Sequence, residues 1–160
     1  MGSVQTFLPY ADFAESARAL DQRRLGKQRV ETLQVLRALT IPTYGWQHHP
    51  CTKMWRGHVT ALAAYGVEIS REWVRRGHAD TCEAQIAEFW DGRDQAALAR
   101  DRALPWWLGD EAFHLAHRSS LLRKDPEWYG PRFGDVPDDL PYVWPASDRP
   151  PCCLPPDGSA

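Results

Sequence analysis

A chain of 160 residues, 43% apolar and 25% charged, has the size and make-up of one globular domain with a buried core. No apolar run reaches the roughly 18 residues of a membrane span and no charged-then-apolar leader opens the chain, which points to the cytoplasm. Four cysteines, two of them adjacent at Cys152 and Cys153, make no disulfide framework, and a net charge of −2 argues against nucleic acid until it is divided by segment.

In chain order, Pro9 in TFLPY predicts an extended start, and a short helix follows over about 11–19. Asp21 is placed to cap a second helix running to Leu39, with Pro42 beyond its end. The segment TYGWQHHPC reads as loop. From about Thr52 to Arg76 the residues Trp55, Val59, Leu62, Gly66, Ile69 and Trp73 recur in steps of four and three, the stripe of one long helix that Gly77 stops. Weaker helices are predicted over about 80–90 and 94–102, and a firmer one from Asp110 to about Lys124, ended by Asp125-Pro126. Eight of thirteen prolines lie from Pro131 onward, which predicts an extended C-terminal strap rather than further long helix. No segment alternates like a strand. The expectation is an all-α, compact single domain over 1–150, with a Pro-rich, flexible tail at 151–160.

Charge is unevenly spread. Residues 17–38 sum to +4, residues 113–124 to +3 and residues 125–160 to −5, so the two basic segments can form one positive face. The stretch RRLGKQRVE carries four cations in nine residues and closes on Glu31. Helical spacing puts Glu31 beside Gln28, Lys27 and Arg24, facing outward, with Leu25, Leu36 and Leu39 turned to the core. That arrangement suits a carboxylate held among phosphate-binding cations, and equally a solvated Lys27–Glu31 pair. A second cluster, HLAHRSSLLRKDPEWYG, gathers His114, His117 and Arg118, then Arg123, Lys124, Trp128 and Tyr129. Cations beside aromatics suit phosphates and stacked bases, or else a capped helix end with aromatics plugging the core. His48, His49, Cys51 and His58 match no metal-site spacing, so no metal is expected, and Cys51 has no orienting group for a nucleophilic role. Eight tryptophans are many, and some are expected to line a groove.

Taken together these segments resemble the endonuclease V-like pyrimidine-dimer DNA glycosylase family. The likeness is carried by LDQRRL ahead of Glu31, by Gly57 to Thr60 (GHVT) opening a helix that ends in RRG, by DEA at the head of the last long helix, and by Asp125-Pro126-Glu127-Trp128-Tyr129. Bacterial and phage relatives bearing TFLPY, RLGKQRVE, HRS-LLRKDP and DDLPYVWP extend it over nearly the whole chain. The resemblance implies an all-α fold, no cofactor, and base excision from double-stranded DNA with a damaged or modified base, pyrimidine dimers among them. It needs neither a membrane nor an obligate protein partner, and its setting is the nucleoid. In such enzymes a terminal α-amine attacks the sugar, forms a Schiff base, and supports abasic-site lyase activity. Glu31 takes the role of the catalytic glutamate. Arg24, Lys27, Arg29, Arg118, Arg123 and Lys124 are expected on DNA phosphates, Trp128 and Tyr129 on the lesion side, and His49, Trp55, Arg56, His58 and His117 around the pocket. Two departures stand out. Val30 and Gln34 occupy positions where the family carries arginine, and Gly2-Ser3 reads as an added start that would put the native amine near Val4 or Gln5. A monofunctional enzyme in which Glu31 activates water, and a non-catalytic DNA- or RNA-binding module on the same fold, are the alternatives.

Overall fold

Aspartates set the starts of most helices. In the computed structural model, which describes residues 4–147 and 149, all regular structure is helical. The helices are α1 (Phe13–Ala19), α2 (Gln22–Thr40), α3 (Pro50–Trp55), α4 (Val59–Arg75), α5 (Cys82–Ala87), α6 (Gln95–Arg100), α7 (Glu111–Lys124) and α8 (Pro126–Phe133). Asp12, Asp21, Asp94, Asp110 and Asp125 each accept a backbone N–H of the first turn of α1, α2, α6, α7 and α8. Such a cap satisfies a donor that the helix itself cannot, worth about 1 kcal/mol each. None of these helices is long and apolar enough to cross a membrane.

The all-α expectation holds, with two differences in detail. The helix expected over 52–76 is two helices, because Gly57 takes φ +83, a left-handed conformation that interrupts the ladder between α3 and α4. Trp55 therefore leaves the stripe, while Leu62, Gly66, Ile69 and Trp73 keep it. Asp125-Pro126 ends α7 as expected but also begins α8: Asp125 caps, and Pro126 sits at the first helical position, where its missing N–H costs nothing. The extended strap then runs from Pro137 to Ser147, and the tail expected at 151–160 lies outside the described residues.

The core forms where α2 crosses α4, with α1, α3 and α5 packed around the pair. A Cβ on Gly66 would lie 2.7 Å from Thr32 Cγ2 and 3.1 Å from Ile86, and one on Gly26 would lie 2.8 Å from the Trp73 ring. These glycines let the helices approach closely. Inside that shell runs an extended segment, residues 4–9, wholly buried although it pairs with no strand. Side chains satisfy its backbone instead. The Gln5 N–H donates to Glu31 Oε2 (2.9 Å), the Phe7 N–H to Gln28 Oε1 (2.7 Å) and the Leu8 N–H to His117 Nδ1 (2.9 Å). The Gln28 amide nitrogen donates to Gln5 O, Tyr65 Oη to Phe7 O (2.6 Å), His114 Nδ1 to Leu8 O (2.8 Å) and Arg118 to Pro9 O (2.7 Å).

The same helix α7 holds the strap. Ser119 Oγ accepts from the Leu140 N–H (3.0 Å), and Ser120 Oγ pairs with Tyr142 Oη (2.6 Å). Gly66→Ala should cost about 1–3 kcal/mol in denaturant unfolding, since α2 and α4 cannot separate without opening the core. Gly45→Ala, with nothing within 4 Å of the added carbon, should stay within about 0.5 kcal/mol of the parent.

Candidate active site

A cleft of ≈ 420 Å³ opens where the extended segment, α2, the end of α7 and the strap meet. Glu31 lies in its wall with 8% of its surface exposed. The expectation of an outward-facing Glu31 and Gln28 is corrected here. Both side chains point at the extended segment, which covers them, and Gln28 is 1% exposed. Only the Arg24 and Lys27 side chains of that group reach the cleft's open side.

The carboxylate is held from two directions. Its Oε2 accepts the Gln5 N–H at 2.9 Å, and its Oε1 lies 3.4 Å from Lys27 Nζ, on a lysine side chain that is itself 70% exposed. Burial raises the Glu31 pKa above the ordinary carboxylate value. The Gln5 hydrogen bond and the Lys27 charge oppose that rise without cancelling it. The result is a partly desolvated carboxylate at a cationic rim, a group suited to meeting developing positive charge or to handling a proton.

The rim cations come from two helices: Arg24 and Lys27 from α2, Lys124 from the last turn of α7. Arg24 also pairs with Asp21 at 3.3 Å. The remaining wall is aromatic. Phe7 comes from the extended segment, and Tyr142 and Trp144 from the strap, their rings 5.3 Å apart. His49 stands edge-on to Trp144, with ring centroids 6.1 Å apart. His49 Nδ1 accepts the Cys51 N–H (3.1 Å) as the cap of α3, and burial lowers its pKa, so the neutral ring is favoured.

Of the residues singled out in the sequence, Glu31, Arg24, Lys27, Lys124 and His49 meet at this cleft. The others do not. Arg29 leaves for another side of α2, where it pairs with Asp80 at 2.6 Å and lies 4.6 Å over the Trp73 ring. Arg118 is committed to Pro9 O, Glu111 and the face of Tyr10. Arg123 is exposed and donates to Asp138 O (2.7 Å). Arg56 and His58 line a second cavity.

Four aromatic expectations are corrected. Tyr129 is fully buried; its hydroxyl donates to Asp21 Oδ1 and accepts the Asp21 N–H, tying α8 to the start of α2. Trp128 donates its indole N–H to Ala19 O (2.9 Å) beneath the Arg132 guanidinium. Trp55 is core, donating to Thr6 Oγ1 (2.9 Å). His117 is fully buried as the acceptor for Leu8, and desolvation pushes its pKa down to about 3. Each of these rings supports the fold rather than lining the cleft. Cys51 is packed against Thr6, and burial pushes its thiol up to about 12, the opposite of an activated nucleophile.

Val4 and Gln5, named in the sequence as bearers of the native amine, and Gln28, placed there beside Glu31, also line the cleft; the residues that sequence reasoning passed over are Phe7, Tyr142 and Trp144. Tyr142 and Trp144 alternate in an extended stretch, which places them on one face. Ionising Glu31 is harder in the folded protein than in the unfolded chain, so its charge weakens folding as pH rises through the raised pKa. Below the ordinary value of 4.5 that penalty is absent. Glu31→Gln keeps an oxygen for the Gln5 N–H and should melt a few degrees higher than the parent at pH 8, with the advantage fading as pH falls to 4.5 and gone below it; a lower Tm at pH 8 would contradict this.

The family model described as pyrimidine dimer DNA glycosylase matches residues 4–86, more than half of the chain. The match takes in the extended segment, α1 to α4, nearly all of α5, and the α2 residues Arg24, Lys27, Gln28 and Glu31. No curated protein and no solved structure matches the chain. Lys124, Tyr142 and Trp144 lie outside the matched residues. On that match, over a helical fold with a buried glutamate at a cationic cleft, the chain belongs to the pyrimidine dimer DNA glycosylase family.

Proposed function

We propose that the cleft is the active site of a DNA glycosylase that removes a damaged base, pyrimidine dimers among its substrates, from double-stranded DNA. One observation carries the reading: a carboxylate 8% exposed, fixed by a backbone N–H at 2.9 Å, faces a cleft rimmed by Arg24, Lys27 and Lys124. The cations hold the strand by its phosphates. Tyr142 and Trp144 offer flat faces to a base drawn out of the stack, with Phe7 beneath.

Breaking the bond between C1′ and the base leaves positive charge on the sugar, which the Glu31 carboxylate stabilises. In the lyase variant an α-amine adds to C1′ as the base departs with its bonding electrons and takes up a proton. Ring opening at O4′ then gives the iminium, and loss of a C2′ proton expels the 3′ phosphate. An α-amine has a pKa of about 8 and is partly neutral at physiological pH. Val4 lines the cleft and the Gln5 nitrogen touches Glu31, so an amine borne at either residue would stand beside the carboxylate. Where no amine reaches, water deprotonated by Glu31 adds to C1′ instead.

Proteins beginning at Val4 or Gln5 should be incubated with ultraviolet-irradiated and abasic-site duplexes, then reduced with borohydride. A covalent adduct at the first residue establishes the amine route, and free base without adduct the water route. In either case Glu31→Gln should slow single-turnover base release about 10²–10³-fold while leaving affinity intact. DNA binding with no base release from any lesion would contradict the enzyme and favour the binding module.

A further inference from the structure

A second cavity, ≈ 340 Å³, lies beside the first with a different chemistry. Arg56, Arg102 and Arg149 line it together with His58, and no carboxylate contributes to it among the described residues. None of the three arginines forms an ion pair among those residues, as is also true of Arg18, Arg23, Arg37, Arg100, Arg123 and Arg132. The Arg149 guanidinium crosses the backbone at Gly57, where an added Cβ would stand 3.3 Å from it. Arg56 spends one nitrogen on Gln47 O (3.1 Å). At the rim stands Trp106, 71% exposed, the most exposed large apolar side chain among the described residues.

Two elements join this cavity to the cleft. Helix α3 begins after His49 in the cleft and ends before Arg56 in the second cavity; six residues of helix span about 9 Å. The strap carries Trp144 in the cleft and Ser147 in the second cavity, at most about 10 Å apart. At an axial rise of about 3.4 Å per nucleotide in one strand, that separation matches about three nucleotides.

We propose that the second cavity is a further DNA contact, in which Arg56, Arg102 and Arg149 hold phosphates about three nucleotides from the base in the cleft and Trp106 stacks on an unpaired base there. It rests on DNA being the ligand of the cleft, but not on base release. Guanidinium groups suit phosphate by their planar donor geometry, and an exposed indole suits a base face because every base has one. Met54, Arg56 and His58 of this cavity lie within the family match, and Arg102, Leu104, Trp106, Ala146, Ser147 and Arg149 lie beyond it.

The test is fluorescence anisotropy on a labelled duplex with a central uncleavable abasic analogue, titrated across salt concentrations, using the full chain. Arg102→Gln/Arg149→Gln should weaken binding about tenfold or more at low salt and flatten the plot of log K against log salt by about 1.8, roughly 0.9 for each lost phosphate contact. Arg102→Lys/Arg149→Lys should keep most of the slope. Trp106→Ala should lose about tenfold on a duplex with a single-stranded flank and much less on a fully paired one. Base release at saturating enzyme should be unchanged in all three. An unaltered slope and affinity in the Gln double variant, with Lys27→Gln/Lys124→Gln flattening the slope as a control, would overturn the second contact alone. Salt-independent or absent binding by the parent protein would overturn the contact and the DNA reading together. A slope lost in the Gln variant of a protein that never releases a base would uphold the contact and sink the glycosylase.

Discussion

The whole arrangement depends on an extended segment buried without a sheet. Residues 4–9 have no neighbouring strand, yet water cannot reach their peptide groups. Each buried donor or acceptor left unpaired would cost about 1–3 kcal/mol, so the protein must supply partners one at a time from side chains. It does so from three helices: Gln28 and Glu31 on α2, Tyr65 on α4, and His114, His117 and Arg118 on α7. His114 and His117, three residues apart, take the C=O and N–H of the same residue, Leu8. That requires one ring to donate from Nδ1 and the other to accept there. The Gly109 N–H donates to His114 Nε2 at 2.9 Å, which fixes the first tautomer.

The candidate site is a by-product of this clamp. Glu31 is the last member of the series, and the carboxylate that satisfies Gln5 is also the one that meets the cleft. Its burial, its fixed orientation and its raised pKa share one cause, the segment lying across α2. A carboxylate that must bond the backbone cannot drift, and that suits the role proposed for it of stabilising charge on a reacting sugar. The strap completes the cleft from the far side, docked on α7 by Ser119 and Ser120 one turn beyond the histidines. Thus α7 carries the N-terminal segment and the aromatic wall on adjacent turns.

How much of this was legible follows from the kind of signal each part leaves. Helices α1, α2 and α7, with their aspartate caps, could be read from local spacing. The break at Gly57 could not, because Trp55 and Val59 keep the step of four across it and mask the left-handed turn. Pro126 looked like an end only, although a proline at the first position is also a start. Motifs rich in Gln, His and Arg suggested chemistry, and Glu31, Arg24, Lys27, Lys124 and His49 do meet at one cleft. His117 and Arg118 serve the buried segment instead, and Gln28 serves it while also lining the cleft, a need that no local pattern reveals because their partners lie 21 to 109 residues away. Trp128 and Tyr129 looked like a stacking surface, and the Tyr129 ring is buried against the start of α2. The aromatic rings that do line the cleft, Tyr142 and Trp144, lie in the Pro-rich strap, whose place depends on hydroxyls of α7.

Amide hydrogen exchange at Gln5, Phe7 and Leu8 tests the clamp most directly. Bonded to side chains and shielded from water, these amides should be protected to a degree comparable with the buried turns of α4 around Leu62 and Val67, and the Gln5 amide should lose protection in Glu31→Ala. Exchange at loop-like rates in the parent protein would mean that the segment is not held, and that Glu31 is not positioned in the way described.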